Sequence, residues 1–411
     1  MKYKNIIYII VLTSLILSCS KPKYTRAKDS TNTYGIIDID IKQTEKFYDL
    51  MNYLEKKSPT GFNNLSTKPD KEKIESNFND KVLINKIDSL TSLPIYRKFE
   101  KISISWVNKK RYSGKKSYKM AFMYLPFKQI NMTAGMPEMW VRFWQNGLDK
   151  NVKPLLNYIS SNREEFLRKV INKTNIYLPS EAADSTSKTN IFICIDGNRG
   201  SFQWDNNIVM DLLYYNNFDT SAFTNTLCHE LHHRYYVDWL NKNAPLKGIT
   251  SKQRVLKAFQ ISLIEEGVAQ QFNFVDKNEQ SKTLYNNRQL IEELFNKLVA
   301  LIREIETQKN IKKWYKTQSR QEFDYSMSLL KKYSPNGYDF RTIPNRPSIT
   351  YYISYHLYNS IYESGGYDKL KYVIENPKEL LNVYNSIYTP EFLIPKIPED
   401  IVNIWRGNFR N

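Results

Sequence analysis

The amino-acid sequence predicts an α+β protein that is mostly helical, with a small sheet before a helix that carries the motif H-E-x-x-H and a helical C-terminal part. Two patterns support this class. Apolar residues recur at helical spacing over most of the second half of the chain, whereas strand-like apolar runs are short and few. With 411 residues, 41% hydrophobic and 25% charged, the chain can form a folded core, which excludes a wholly disordered protein.

The N-terminal region, residues 36–175, is predicted to be mainly helical. Helical periodicity covers residues 41–57, 71–90 and 155–173, while residues 101–107 alternate in the manner of a strand. This part of the chain contains no internal repeat and no low-complexity segment.

Residues 176–411 are predicted to form a second domain that starts with the small sheet. Its strands are residues 190–196 and 207–213, with a loop over residues 197–205 between them, and we expect one of these strands to offer a free edge to an extended peptide. The next helix covers residues 222–243, and Thr250 with Gln253 forms a capping box at the start of another helix. One long helix or two are predicted over residues 281–316, and further helices over residues 320–333, 348–363, 367–374 and 377–388.

The first eighteen residues have the features of a secretory signal peptide. Lys2 and Lys4 precede a twelve-residue apolar run, residues 6–17, which is too short to span a bilayer. The segment Ile16-Leu17-Ser18-Cys19 resembles the lipobox of bacterial lipoproteins. That resemblance implies lipidation of Cys19, a flexible tether over residues 19–35, and a lipid-anchored protein of the cell envelope in the outer membrane, on its periplasmic or surface face. The alternative is an ordinary signal with an incidental cysteine.

The net charge of +18 by itself points to an acidic partner such as nucleic acid. However, the lysines are spread along the whole chain, and neither a dense basic block nor a nucleic-acid motif is present. We therefore expect no nucleic-acid partner. The two remaining cysteines, Cys194 and Cys228, form either a disulfide or two buried free thiols, and the sequence favours free thiols.

The most informative feature is the run His229-Glu230-Leu231-His232-His233. Histidines at positions i and i+4 lie on one face of a helix and can bind one tetrahedral zinc ion, while Glu230 can reach a water molecule at such a metal. The chain has four histidines, so the pattern is expected by chance only about 0.002 times in such a chain. His232 lies about 100° round the helix from His233, which favours a packing or supporting role.

A zinc enzyme needs a third protein ligand and an open position. The predicted helix after residue 250 contains Glu265 and Glu266 in an otherwise apolar segment, where a buried carboxylate needs a compensating charge. Helical periodicity alone does not choose between these two glutamates.

H-E-x-x-H on one helix followed by E-G-x-A on the next resembles the glutamate zincins, the metallopeptidase clan that includes thermolysin. The resemblance implies zinc as cofactor, with His229, His233 and Glu266 as ligands and Glu230 as general base. A histidine or tyrosine often donates a hydrogen bond to the oxyanion in that clan, which implies this role for His356 or for a neighbouring tyrosine, Tyr351, Tyr352 or Tyr355.

A narrower resemblance covers roughly residues 175–375. The chain is similar to an uncharacterised family of zinc-dependent peptidases found in bacterial lipoproteins. The pieces that match are Tyr177-Leu178-Pro179, Val209-Met210-Asp211-Leu212, residues 226–233, Glu265-Glu266-Gly267-Val268-Ala269 and residues 351–366.

The leading functional hypothesis is a lipid-anchored zinc metallopeptidase that acts on a peptide or protein, with the membrane contacted through the N-terminal lipid. The alternative is a non-enzymatic surface or assembly lipoprotein that retains a peptidase fold, although the intact Glu230 argues against it. A polyanion binder is a third hypothesis and rests on charge alone. The substrate, the choice between endo- and exopeptidase, the role of the N-terminal region and the oligomeric state do not follow from the sequence.

Overall fold

A computed structural model of the chain describes residues 37–57, 71–103, 119, 122–123, 140, 144, 148–182, 188–195, 201–212, 220–248, 250–273, 279–334 and 349–410. The predicted signal peptide, Cys19 and the predicted tether lie outside these residues. The elements in chain order are β1 (Ile37–Asp40), α1 (Lys42–Lys57), α2 (Lys71–Asn79), α3 (Lys81–Thr91), α4 (Pro94–Ser103), α5 (Leu148–Ser161), α6 (Arg163–Asn175), β2 (Thr189–Cys194), β3 (Phe202–Trp204), β4 (Asn207–Asp211), α7 (Thr220–Asn243), α8 (Ser251–Asn273), α9 (Glu279–Tyr285), α10 (Arg288–Thr307), α11 (Ile311–Tyr333), α12 (Ile349–Glu375), α13 (Leu380–Ile387) and α14 (Glu399–Gly407). The predicted fold class, α+β and mostly helical, is confirmed.

The strands form one sheet in the order β1-β2-β4-β3, with β1, β2 and β4 parallel and β3 antiparallel to β4. The prediction that β2 or β4 offers a free edge is wrong, because each pairs with a neighbour on both sides. Strand β3 lies within the predicted loop, and β1 lies where no strand was expected. Both are only three or four residues long, which is too short for an alternating pattern to stand out.

The described residues belong to two compact units. The first draws on segments Ile36–Phe166 and Lys188–Phe223 and includes the sheet. The second draws on segments Leu167–Ser187 and Thr224–Asn411. The predicted division of the chain into residues 36–175 and 176–411 stays a prediction.

Side-chain hydrogen bonds join the helices of the first unit to its sheet. The Thr44 hydroxyl on α1 donates to the backbone oxygen of Ile193 at 2.6 Å, and the Tyr96 hydroxyl on α4 donates to that of Ile195 at 2.9 Å. The buried core of this unit contains a stacked aromatic pair, Phe122 and Trp140, whose ring centroids are 4.5 Å apart.

Several predicted helices are divided in the structure, each at a polar residue. Asp80 interrupts the predicted 71–90 helix and caps α3 by accepting a hydrogen bond from the Leu83 amide. Asn162 separates α5 from α6, and Asn287 caps α10, so the predicted 281–316 helix becomes α9, α10 and the start of α11. The predicted strand over residues 101–107 is wrong for residues 101–103, which belong to α4.

Helix α12 combines two predicted helices that meet at Gly366. This glycine has φ 70° and ψ −175°, a backbone conformation that other residues rarely adopt, so the axis changes direction there. The short helix α14 was not predicted. Each helix among the described residues is too short or too polar to cross a membrane. Cys194 and Cys228 are both buried, and neither forms a disulfide.

Candidate metal centre

The residues of the H-E-x-x-H motif lie in the middle of α7, in a stretch that is buried on every side. Residues 227–236 are all buried, which is typical of a helix in a protein core. His229 and His233 are 7% and 8% exposed, and Glu230 is 8% exposed. The capping box predicted for the next helix is present, since Thr250 and Gln253 exchange hydrogen bonds at the start of α8.

The structure brings His229, His233 and Glu266 together as a buried group that can hold a metal ion. The Nε2 atoms of the two histidines are 2.9 Å apart. One carboxylate oxygen of Glu266, Oε2, lies 3.6 Å from Nε2 of His229 and 3.5 Å from Nε2 of His233. Two nitrogens and one oxygen therefore converge from α7 and α8 on a single point.

This triangle of atoms fits a zinc ion. Ligands about 2.0–2.1 Å from a tetrahedral zinc ion lie about 3.3 Å from one another, and the three observed separations bracket that value. Two imidazole nitrogens and one carboxylate oxygen also leave one of the four tetrahedral positions for water or substrate. The donor set and its spacing therefore fit a zinc ion with one open position.

Glu265 contacts the other side of the same histidine ring. Its Oε2 lies 3.7 Å from Nδ1 of His233, and the residue is 9% exposed. Periodicity left the choice between the two glutamates open, and the structure places Glu266, not Glu265, beside both Nε2 atoms. A carboxylate on the second ring nitrogen is the usual partner of a metal-binding histidine, because it fixes the tautomer and the orientation of the ring.

The buried carboxylates of this group favour the binding of a cation. Burial raises the pKa of Glu230 to about 7, and the charges of Glu266 and Glu265 add to this rise, although His233 opposes it. Burial disfavours a charge on His233, yet Glu266 and Glu265 outweigh that effect and raise its pKa well above the usual range. Three buried carboxylates around one imidazole pair would be stabilised by a divalent cation.

Tyr351 on α12 completes the group. Its side chain lies beside Glu266 and interacts with the carboxylate. Burial raises its pKa well above the usual value, as do the negative charges of Glu266 and Glu230, so the hydroxyl keeps its proton. The sequence indicated Tyr351 only as one of three neighbouring tyrosines.

The contact between α8 and α12 explains why Tyr351 reaches Glu266. A Cβ atom on Gly267 would lie 2.3 Å from Cδ2 of Tyr358 and 2.9 Å from the backbone oxygen of Ser354. The absence of a side chain at Gly267 therefore lets the two helices approach closely. Tyr351 lies about one turn before Ser354 on the same face of α12.

The other two histidines lie outside the metal group. Nε2 of His232 donates to the backbone oxygen of Tyr177 at 3.2 Å. Nε2 of His356 donates to the backbone oxygen of Tyr285 at 2.6 Å, and burial lowers the pKa of His356 to about 4. The structure thus gives both rings a carbonyl partner and does not bring His356 to the metal group.

Comparison with known proteins gives one match. Residues 87–391, about three quarters of the chain, match the model of a protein family described as "Putative zinc dependent peptidase (DUF5700)". Neither a curated protein nor a solved structure matches the chain. The matched range contains all the residues of the metal group.

Proposed function

The chain belongs to the zinc-dependent peptidase family whose model it matches, and from that premise we propose that it is a lipid-anchored zinc metallopeptidase that uses Glu230 as general base. The observation that supports this proposal is the convergence of His229, His233 and Glu266, with Glu230 on the same helix as the two histidines and Tyr351 beside Glu266. A peptide or protein is the substrate class that this family implies.

His229 and His233 would hold the zinc ion through their Nε2 atoms, and Glu266 through a carboxylate oxygen. A bound zinc ion would polarise the carbonyl of the scissile peptide bond and lower the pKa of water. Glu230 accepts the proton of the attacking water and then transfers it to the leaving amine. Its position suits this role, because Glu230 is buried and directly follows His229 on the helix that carries both histidines.

Tyr351 is the residue that we assign to the oxyanion. Its hydroxyl keeps its proton and lies beside Glu266, so it can donate a hydrogen bond when negative charge develops on the carbonyl oxygen. The sequence indicated His356 first for this role. The ring of His356 instead donates to the backbone of Tyr285, which favours Tyr351 over His356.

Lipid anchoring is a part of the proposal that rests on the sequence. The basic start, the apolar run and the segment ending in Cys19 are the features of a lipoprotein signal. We accordingly place the protein in the cell envelope, held at the outer membrane by lipid on Cys19, where its substrate would be a peptide or protein of the periplasm or the cell surface.

The test compares purified wild-type protein with Glu230→Gln by metal analysis and by cleavage of a peptide library. The wild type should contain about one zinc ion per chain and cleave a subset of peptides. Glu230→Gln should keep the metal, because Glu230 is not a ligand, and should lose at least about a hundred- to ten-thousand-fold in turnover. Wild-type turnover by Glu230→Gln would rule out this mechanism, and a zinc-loaded wild type that cleaves nothing would favour the non-enzymatic lipoprotein.

A further inference from the structure

Residues 176–180 form a short segment that the proposed chemistry does not explain. The segment follows α6 and starts with turn hydrogen bonds, from the Tyr177 amide to the Thr174 oxygen and from the Leu178 amide to the Asn175 oxygen. Leu178 is 2% exposed, whereas Ile176 is 46% exposed. The segment therefore lies at the surface of the second unit, with the side chains of Leu178 and Pro179 buried.

The part of α12 that follows Gly366 binds this segment through one row of side chains. Tyr367, Lys371 and Glu375 are four residues apart, so they lie on one face of the helix. Each binds the backbone of a different residue of the segment. The Tyr367 hydroxyl donates to the Ile176 oxygen at 2.7 Å, the Lys371 ammonium donates to the Leu178 oxygen, and the Glu375 carboxylate accepts from the Ser180 amide at 3.5 Å and from its hydroxyl at 3.4 Å.

Helix α7 binds a further backbone oxygen of the segment, that of Tyr177. The Tyr177 oxygen accepts the hydrogen bond from His232, the residue next to His233. The Tyr177 ring packs edge-on against Phe272 of α8, with centroids 5.0 Å apart, and the His232 ring is 6.1 Å from the same phenylalanine. The segment thus contacts the three helices that carry the metal group and Tyr351.

We propose that residues 176–180 are a brace that fixes α7 relative to α8 and α12, and that His232 is the positioning residue through which the brace acts on the metal group. The proposal rests on the proposed zinc site, and it adds a role for the Tyr177-Leu178-Pro179 motif and for the kink at Gly366. Ligand positions in a metal or catalytic site must be held to within about 0.5 Å, so contacts that fix the supporting helices affect metal affinity and turnover.

His232 can serve this purpose because its ring is inside the protein and its acceptor is a main-chain atom. His232 is 0% exposed, and its other neighbours are aromatic, with the Tyr236 ring 5.0 Å away. Removing the Nε2 donor leaves the Tyr177 oxygen without this partner, which loosens the segment from α7 while the packing of the ring can be kept.

The test uses two substitutions of His232 that separate the hydrogen bond from the ring. His232→Phe keeps a planar ring and removes the donor, whereas His232→Gln supplies an amide donor at a similar distance from the backbone. Measured quantities are the dissociation constant for zinc, by competition with a chelator, hydrogen exchange of a peptide covering residues 176–182, and kcat and KM separately. We expect His232→Phe to weaken zinc binding and lower kcat by about tenfold or more, with KM little changed. Hydrogen exchange of residues 176–182 should become about tenfold faster in this variant. His232→Gln should restore most of the zinc affinity, the kcat and the protection from exchange.

A second pair of variants tests the far end of the brace. Tyr367→Phe removes only the hydroxyl that binds Ile176, and we expect exchange in residues 176–182 to rise about three- to tenfold with a smaller loss of zinc affinity. Tyr372→Phe is the matched control, since Tyr372 is an equally exposed tyrosine of the same helix, and it should leave every quantity at the wild-type value.

Several results would overturn the brace. His232→Phe with wild-type zinc affinity and exchange would do so, and so would a His232→Gln variant as impaired as His232→Phe, because ring packing would then account for the effect. A wild-type protein that binds no zinc contradicts the proposed function instead. In that case the exchange data alone still show whether His232 and Tyr367 hold residues 176–180.

Discussion

At the scale of residues, the central feature of the site is that two adjacent glutamates lie beside different nitrogens of one imidazole ring, that of His233. Glu266 lies beside Nε2 of His233 and Glu265 beside its Nδ1. The first position suits a metal ligand. The second suits a partner that holds the ring and its proton in place.

Substitution of each glutamate by alanine should therefore lower the affinity for zinc by different amounts. We expect Glu266→Ala to lose most of its zinc, because a ligand is removed, and Glu265→Ala to keep a site that is about 10- to 100-fold weaker. Competition with a chelating dye measures both affinities, and His229→Ala provides a reference for the loss of a ligand. If Glu265→Ala loses more zinc than Glu266→Ala, the third ligand is Glu265.

His356 gives a prediction about stability and pH. Burial lowers its pKa to about 4 in the folded protein, below the usual value of about 6.5, so the unfolded chain binds the proton more tightly. The contribution of the neutral His356 ring to the free energy of unfolding is fully present above about pH 6.5. It declines as the pH falls toward 4, and the loss reaches about 2–3 kcal/mol at pH 4.5.

Urea unfolding of wild type and His356→Gln between pH 7.5 and 4.5 checks this prediction. The glutamine can donate to the same Tyr285 oxygen but does not titrate, so the stability of the wild type relative to the variant should fall with pH over this range. The carboxylates are identical in both proteins and cancel in the difference. A constant difference across the range would contradict the buried, neutral state of His356.

The sequence predicted the metal group better than its surroundings. The spacing of His229 and His233 determines that both rings lie on one face of any helix, whatever the rest of the fold. The contact of Tyr351 with Glu266 depends instead on how closely α8 approaches α12. That distance is set by tertiary packing at Gly267, for which the sequence contains no periodic signal.

At the scale of elements, the crossing of α8 and α12 controls the geometry of the site. Gly267 lies directly after Glu266 and faces Tyr358 and Ser354. The sequence predicted the presence of helices better than the residues at which they begin and end. Single polar residues such as Asp80 and Asn287 start new helices inside continuous apolar patterns. A local cap of this kind competes with periodicity and is not visible in it.

The variant Gly267→Ala should separate the two helices. Its Cβ would clash with the Tyr358 ring and with the Ser354 backbone oxygen, and overpacking of this kind typically costs about 1–3 kcal/mol. We expect a lower midpoint of thermal unfolding together with reduced turnover, because Tyr351 would move away from Glu266.

Gly407→Ala is the control for this prediction. Gly407 is also helical, but a Cβ there meets nothing within 4 Å, so alanine should leave the midpoint unchanged or raise it slightly. If Gly267→Ala is as stable and as active as Gly407→Ala, close approach at Gly267 does not determine the site.

At the scale of the whole molecule, the fold class followed from pattern and length, whereas the pairing of the strands did not. The sheet belongs to the first unit, and its strands come from positions about 150 residues apart, since β1 pairs in parallel with β2. Pairings between such distant segments leave no local signal. The metal group, by contrast, lies within the second unit, and its residues all follow residue 224.

The last prediction concerns where the molecule resides, and it tests Cys19. Cys19→Ser removes the thiol that would carry the lipid, and acyl chains contribute about 0.8 kcal/mol per buried CH₂ to membrane binding, so the variant should leave the membrane fraction. Fractionation of cells, together with incorporation of labelled palmitate, measures both steps. Cys194→Ser serves as the matched control, since Cys194 is a buried thiol of the folded protein and its loss should leave the label and the fractionation unchanged. A Cys19→Ser variant that still incorporates the label and stays in the membrane fraction would show that anchoring uses another residue.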